Sequence, residues 1–103
     1  MKWPVKDPDD VLIYSVDWSR YLDTATITSI AWFIHNSNGV KTVATPPATV
    51  NGLTTDSASN TNTVASITLS AGTAGLVYRI VCAMTDNASL VTERTIQLPV
   101  REL

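Results

Sequence analysis

A single cysteine, Cys82, among 103 residues leaves no partner for an intrachain disulfide and rules out an all-cysteine zinc site. The fold must stand on packing. Histidine also occurs once, at His35, so no cluster of imidazole ligands can form. Basic residues are few: seven Lys and Arg against nine Asp and Glu, for a formal net charge of -2. They are spread from Lys2 to Arg101 with no stripe to neutralise phosphates and no polybasic face, so neither nucleic acid nor a membrane is expected as partner. Long apolar runs are missing as well. The start, Met1-Lys2-Trp3-Pro4-Val5-Lys6-Asp7, has no hydrophobic core of a secretion signal, and nothing later approaches spanning length. This predicts a chain made and kept in a cytoplasm, and makes the sequon Asn87-Ala88-Ser89 ordinary turn chemistry. The length suits one modest hydrophobic core.

A sustained apolar period of 3.6 is also absent, while Thr, Val, Ile and Ser abound, so the expected elements are strands, with helices absent or very short. Leu12, Tyr14, Val16 and Trp18 alternate with Ile13, Ser15 and Asp17, the pattern of a strand with one face inward. The segment 26–35 sets Ile30, Trp32 and Ile34 on one face and Ile27 and Phe33 on the other, which predicts a central strand covered on both sides. From Asn36 to Asn62 the chain is polar, with only two short β-prone pieces, near Val40–Ala44 and Ala48–Leu53. Beyond it, Ala65, Ile67 and Leu69 share a face, and the glycines of Ser70-Ala71-Gly72-Thr73-Ala74-Gly75 supply a tight connection. Tyr78, Ile80, Cys82 and Met84 then align, and Ile96, Leu98 and Val100 follow after the turn at 85–89, predicting a closing hairpin.

About seven short strands with no crossover helix predict an all-β, Ig-like antiparallel sandwich over residues 11–103. A small barrel such as an OB-fold is the structural alternative. Tyr78 precedes the inward Ile80 by two positions in a strand entered through a glycine-containing corner, the spacing of a tyrosine corner. The expected core comprises Trp18, Trp32, Leu69, Tyr78, Ile80, Cys82, Ile96 and Leu98. Residues 1–10, with two prolines, alternating charges and few apolar side chains, are expected to form a flexible arm.

Several residue groups invite chemistry. Asp7, Asp9 and Asp10 lack the spaced oxygens, glycine and terminal glutamate of a calcium loop, so a solvated acidic arm is expected and no metal. His35 and Cys82 would need nearby carboxylates to bind metal, yet parity puts Cys82 in the core. Asp17, His35 and Ser19 suggest a triad by type, but no Gly-x-Ser-x-Gly elbow or oxyanion nest accompanies them, and no enzyme is expected. Glu93 and Arg94 suit edge or interface ion pairs. Trp3 and Tyr21 lie outside the regular strand and, with Tyr14 and Trp18, leave aromatic surface for a partner. The interface candidates are thus Trp3, Lys6, Asp7, Asp9, Asp10, Ser15, Asp17, Tyr21, Glu93 and Arg94. A carbohydrate-binding module is the rival reading, since exposed Trp and Tyr faces stack on sugar rings.

The opening Lys6-to-Leu22 stretch, the Trp32 strand, the corner Leu69-to-Ile80 and the closing Thr92-to-Glu102 segment together resemble the small phage fibre-tail adaptor family. In that family a Lys-Asp-Pro-Asp run leads into a Tyr and Asp-Trp strand, a Gly-Thr-Ala-Gly corner precedes a Tyr strand, and a Glu-Arg pair precedes the last apolar strand. Lys6 to Pro8, Tyr14, Asp17, Trp18, Gly72 to Gly75, Tyr78, Glu93 and Arg94 occupy those places. The region 36–62 departs from the family's usual shorter connection. The resemblance implies an Ig-like virion protein, made in the bacterial host cytoplasm, without cofactor or catalytic residues. It implies partners among tail, connector and fibre proteins and a homo-oligomeric ring around the tail.

Overall fold

The computed structural model describes residues 1–103 as an all-β sandwich of two antiparallel four-stranded sheets. Strands β1 (Leu12–Asp17), β6 (Val64–Ala71), β5 (Leu53–Asn60) and β4 (Ala48–Val50) form one sheet in the order β1-β6-β5-β4. Strands β3 (Lys41–Val43), β2 (Ile27–His35), β7 (Val77–Asp86) and β8 (Val91–Pro99) form the other, in the order β3-β2-β7-β8. The only helix, α1 (Ser19–Leu22), is one turn between β1 and β2. The sandwich expectation holds with eight strands instead of about seven. Two separate sheets replace the closed barrel of the OB alternative.

The core forms because alternate side chains of both sheets turn inward. From β7 come Tyr78, Ile80, Cys82 and Met84, from β8 Ile96 and Leu98, from β6 Ala65, Ile67 and Leu69, all buried. Trp18 and Trp32 join the same cluster, so every residue of the expected core is inside. Ile27 is a correction. It lies in the core because Thr28 is an extra residue in β2, a bulge between the pairs Ile27–Asp86 and Ser29–Thr85 that reverses facing. Phe33 is on the outer face as expected, half-buried beneath the Lys41 ammonium, 4.7 Å from the ring centroid.

The tyrosine corner is present. The Tyr78 hydroxyl donates to the Asn51 carbonyl at 2.7 Å and accepts the Thr73 N–H at 2.8 Å. One side chain thereby ties β7 to the β4–β5 and β6–β7 turns. The β4–β5 turn is the pair Asn51-Gly52, with φ of 52° and 85°, the left-handed geometry of a two-residue hairpin. A Cβ on Gly52 would stand 2.8 Å from the Thr73 hydroxyl, so the close approach of the two turns also requires glycine.

At what we call the upper end of the sandwich, β2, β4, β6 and β8 finish and β1, β3, β5 and β7 begin. One lateral side brings β1 next to β8, and the other carries β3, β4 and the 44–47 link. Residues 1–10 occupy the first side, which corrects the expectation of a flexible arm. The Trp3 N–H donates to the Gln97 carbonyl and the Lys6 N–H to that of Pro99, as a short parallel addition to β8. Trp3, 8% exposed, inserts between the sheets, its ring stacked on Tyr14 at 4.7 Å and its indole N–H donating to the Ser15 carbonyl. Lys6 is wholly buried; its ammonium donates to the carbonyls of Asp7 and Ala71 at 2.9 and 2.6 Å. A segment poor in apolar residues is ordered by one large aromatic and one lysine whose charge finds backbone oxygens. Burial lowers the Lys6 pKa, against the opposing pull first of Asp10 and then of Asp7, Asp9 and Asp56.

Candidate partner interface

The clamped segment ends in a rigid acidic turn. The Asp7 carboxylate accepts N–H bonds from Asp9 (2.8 Å) and Leu103 (2.7 Å), and Asp10 accepts one from Asp7 at 3.4 Å. Those backbone donors, Leu103 first and then Asp9, hold the Asp7 carboxyl below the ordinary range. Asp9 is left exposed with its carboxylate free of hydrogen bonds. Asp7, Asp9 and Asp10 therefore share one place, but Trp3 and Lys6, expected as contact residues beside them, are structural. That is a third correction, with its reason in the slot between β1 and β8.

Below the acidic turn runs the outer edge of β1. Trp18 N–H bonds to the Thr63 carbonyl across to β6, so by alternation the backbone groups of Ile13, Ser15 and Asp17 point away from β6. Trp3 occupies only the Ser15 carbonyl. Ile13 is 72% exposed, with Val11 and Leu12 also exposed beside it. The Ser15 hydroxyl shares a hydrogen bond with Ser66 at 2.9 Å, one of several hydroxyl pairs on this face, with Ser57–Thr68 and Thr49–Thr54. Asp17 is exposed and caps Ser19 N–H at 2.9 Å, a bond that lowers its pKa.

At the lower end Tyr21 and Arg94 meet. The guanidinium lies 5.3 Å from the Trp18 ring and 5.5 Å from that of Tyr21. The Tyr21 hydroxyl accepts a hydrogen bond from Thr92 at 2.6 Å. Glu93, next in sequence, points to the opposite face and pairs with Lys41 at 2.9 Å. Adjacent residues in a strand face oppositely, so Glu93 and Arg94 serve different surfaces. Both partners of the ion pair are exposed, so it contributes only about 0–1 kcal/mol.

The residues once weighed for chemistry do not converge. Asp17 and Ser19 lie at the lower end and His35 at the upper end of the other sheet. His35 and Cys82 face opposite sides of that sheet, and burial pushes the Cys82 thiol up to about 11. No three His, Cys, Asp or Glu side chains group as metal ligands, and no helix is long and apolar enough to cross a membrane. The three tryptophans offer no face for sugar stacking, Trp3, Trp18 and Trp32 being 8, 2 and 3% exposed, and of the aromatic cluster Tyr21 alone is exposed. Sequence reading passed over Arg79, the one cation in β7 and on its outward face. It stands at the upper end beside His35, whose Nδ1 lies 3.3 Å from the Arg79 carbonyl.

The chain thus presents an all-β sandwich with an open outer edge on β1 and an exposed acidic turn. The chain matches a family model described as podophage GP4 fiber-tail adaptor protein gp77 over residues 6–99. It belongs to that family of structural phage adaptors, in agreement with the resemblance seen in the sequence. No curated protein matches the chain at a significant level.

Proposed function

We propose that this protein is a non-enzymatic component of a tailed-phage virion, joining the tail or head–tail connector to fibres through a ring of identical copies. The family match, covering all eight strands, carries the reading. It is made in the host bacterial cytoplasm and enters the particle on assembly. The architecture supports this role: a sandwich held at both ends by side-chain ties leaves the outward backbone groups of β1 and the acidic turn free for neighbours. Contacts to tail or fibre proteins run through the exposed candidates Asp17, Tyr21 and Arg94, with the open edge of β1 available for strand addition. Trp3 and Lys6 hold that edge in place.

Phage carrying a disrupted copy of the gene test this. Particles should form with tails that lack fibres, and supplying the protein should restore them. Fibres attached in normal number without it would rule out the adaptor role.

A further inference from the structure

At the upper end, on the side away from the acidic turn, a polar cleft of about 350 Å³ opens between the β2–β3 turn and the start of β7. His35, Asn36, Gly39, Asn51, Leu76 and Arg79 line it. Arg79 is exposed, and its guanidinium reaches toward the β2–β3 turn, 3.6 Å from where a Cβ on Gly39 would stand. It forms no ion pair; the only one in the structure joins Lys41 and Glu93. A planar, five-donor cation in a concave polar setting is suited to a carboxylate.

Free carboxylate occurs at the same end on the opposite side. The turn Asp7–Asp10 and nearby Glu102 outweigh buried Lys6 and Arg101, and Asp9 projects unpaired. Across this layer the order is N-terminal segment, β8, β7, β2, β3. Strands about 4.8 Å apart separate the acidic turn from the cleft of its own chain. Two copies set edge to edge with strands aligned bring the turn of one level with the cleft of the next. Such a contact is heterologous, so it repeats and closes into a ring when the rotation allows. The turn is already fixed by the hydrogen bonds to Asp7 and Asp10, so little ordering opposes docking.

We infer that the His35–Arg79 cleft receives the acidic turn Asp7–Asp10 of a second copy, and that this charge match sets the register of the ring proposed above.

A chain carrying Leu103→Cys, beside the Asp7 carboxylate, and Ser37→Cys, in the lining of the cleft, oxidised in assembled particles and in concentrated solution, should give a ladder of covalent multimers of this protein alone. Arg79→Glu, and separately Asp9→Lys with Asp10→Lys, should each lower the multimer fraction about tenfold, equal to roughly 1.4 kcal/mol. All three changes in one chain should restore it. Melting curves matching the parent's confirm that each variant folds. Multimers that persist unchanged in Arg79→Glu leave the ring but overturn this contact. Absence of multimers in both settings overturns this contact. Loss of fibres or tail binding in Arg79→Glu, with multimers intact, assigns the cleft to another virion protein and also overturns the inference.

Discussion

Trp3 stacks on Tyr14 with ring centroids 4.7 Å apart and planes 22° from parallel, and this contact fastens the first residues of the chain to the first strand of the sandwich. The stack alone contributes about 0.5–1.5 kcal/mol beyond the area it buries. Trp3→Ala removes the stack and leaves a void beside Trp32, whose ring lies 6.4 Å from that of Trp3. The expected cost is about 3–5 kcal/mol, seen as a melting temperature lower by roughly 10 °C or more. Deleting residues 1–6 should act in the same direction. A truncated protein that melts like the parent would mean that the segment is loosely held.

Tyr78→Phe keeps the ring and removes the hydroxyl that joins Asn51 and Thr73. Both backbone groups then lose a partner in a part-buried setting, at a cost of about 1–3 kcal/mol. The urea midpoint should fall with the slope unchanged. An unaltered midpoint would show that water replaces the hydroxyl without loss.

The legibility of the sequence follows where apolar side chains fall. β7 and β8 were readable because Tyr78, Ile80, Cys82, Ile96 and Leu98 alternate without interruption, and the corner because Tyr78 keeps its distance from two glycines. β5 was not readable. Past Thr55 its sequence is Asp56-Ser57-Ala58-Ser59-Asn60, all exposed, and it is a strand through backbone pairing to β6 across the bulge at Asp56. Its start carried an overlooked signal in Asn51-Gly52, a two-residue hairpin turn placed inside one β-prone piece. The first ten residues misled for a different reason: composition counts apolar residues, whereas a single tryptophan in a slot and a lysine on carbonyls suffice to dock the segment. The acidic turn was recognised as a group, but its relation to Arg79 depends on sheet order, which no local pattern carries.

The acid limb of the stability curve should depend on Asp7. Its folded pKa lies below the ordinary value of 3.8, so its contribution is complete above that value and is lost as the pH falls through the folded one. Asp7→Asn should be less stable than the parent at neutral pH, and the difference should shrink below about pH 3.8. Thermal melts of the pair across the acid range decide it. A difference independent of pH would assign the effect to geometry instead of charge.

Lys6 makes the opposite prediction at alkaline pH. Its folded pKa is lowered from 10.5, so between the two values the unfolded chain binds the extra proton and the fold gains stability as pH rises. Lys6→Met, of similar length and without charge, should lack this rise. Parallel melts of both proteins from about pH 8 to 10.5 should show the parent gaining on the variant. A parent that instead loses ground would mean that the ammonium is held by its acidic neighbours more strongly than burial opposes it.

The adaptor role itself is tested most directly by electron cryo-microscopy of intact virions. The account predicts a closed ring of this eight-stranded sandwich between tail and fibre, with acidic turns packed against Arg79 of adjoining copies. Particles that carry attached fibres with no density for this fold at the junction would contradict it.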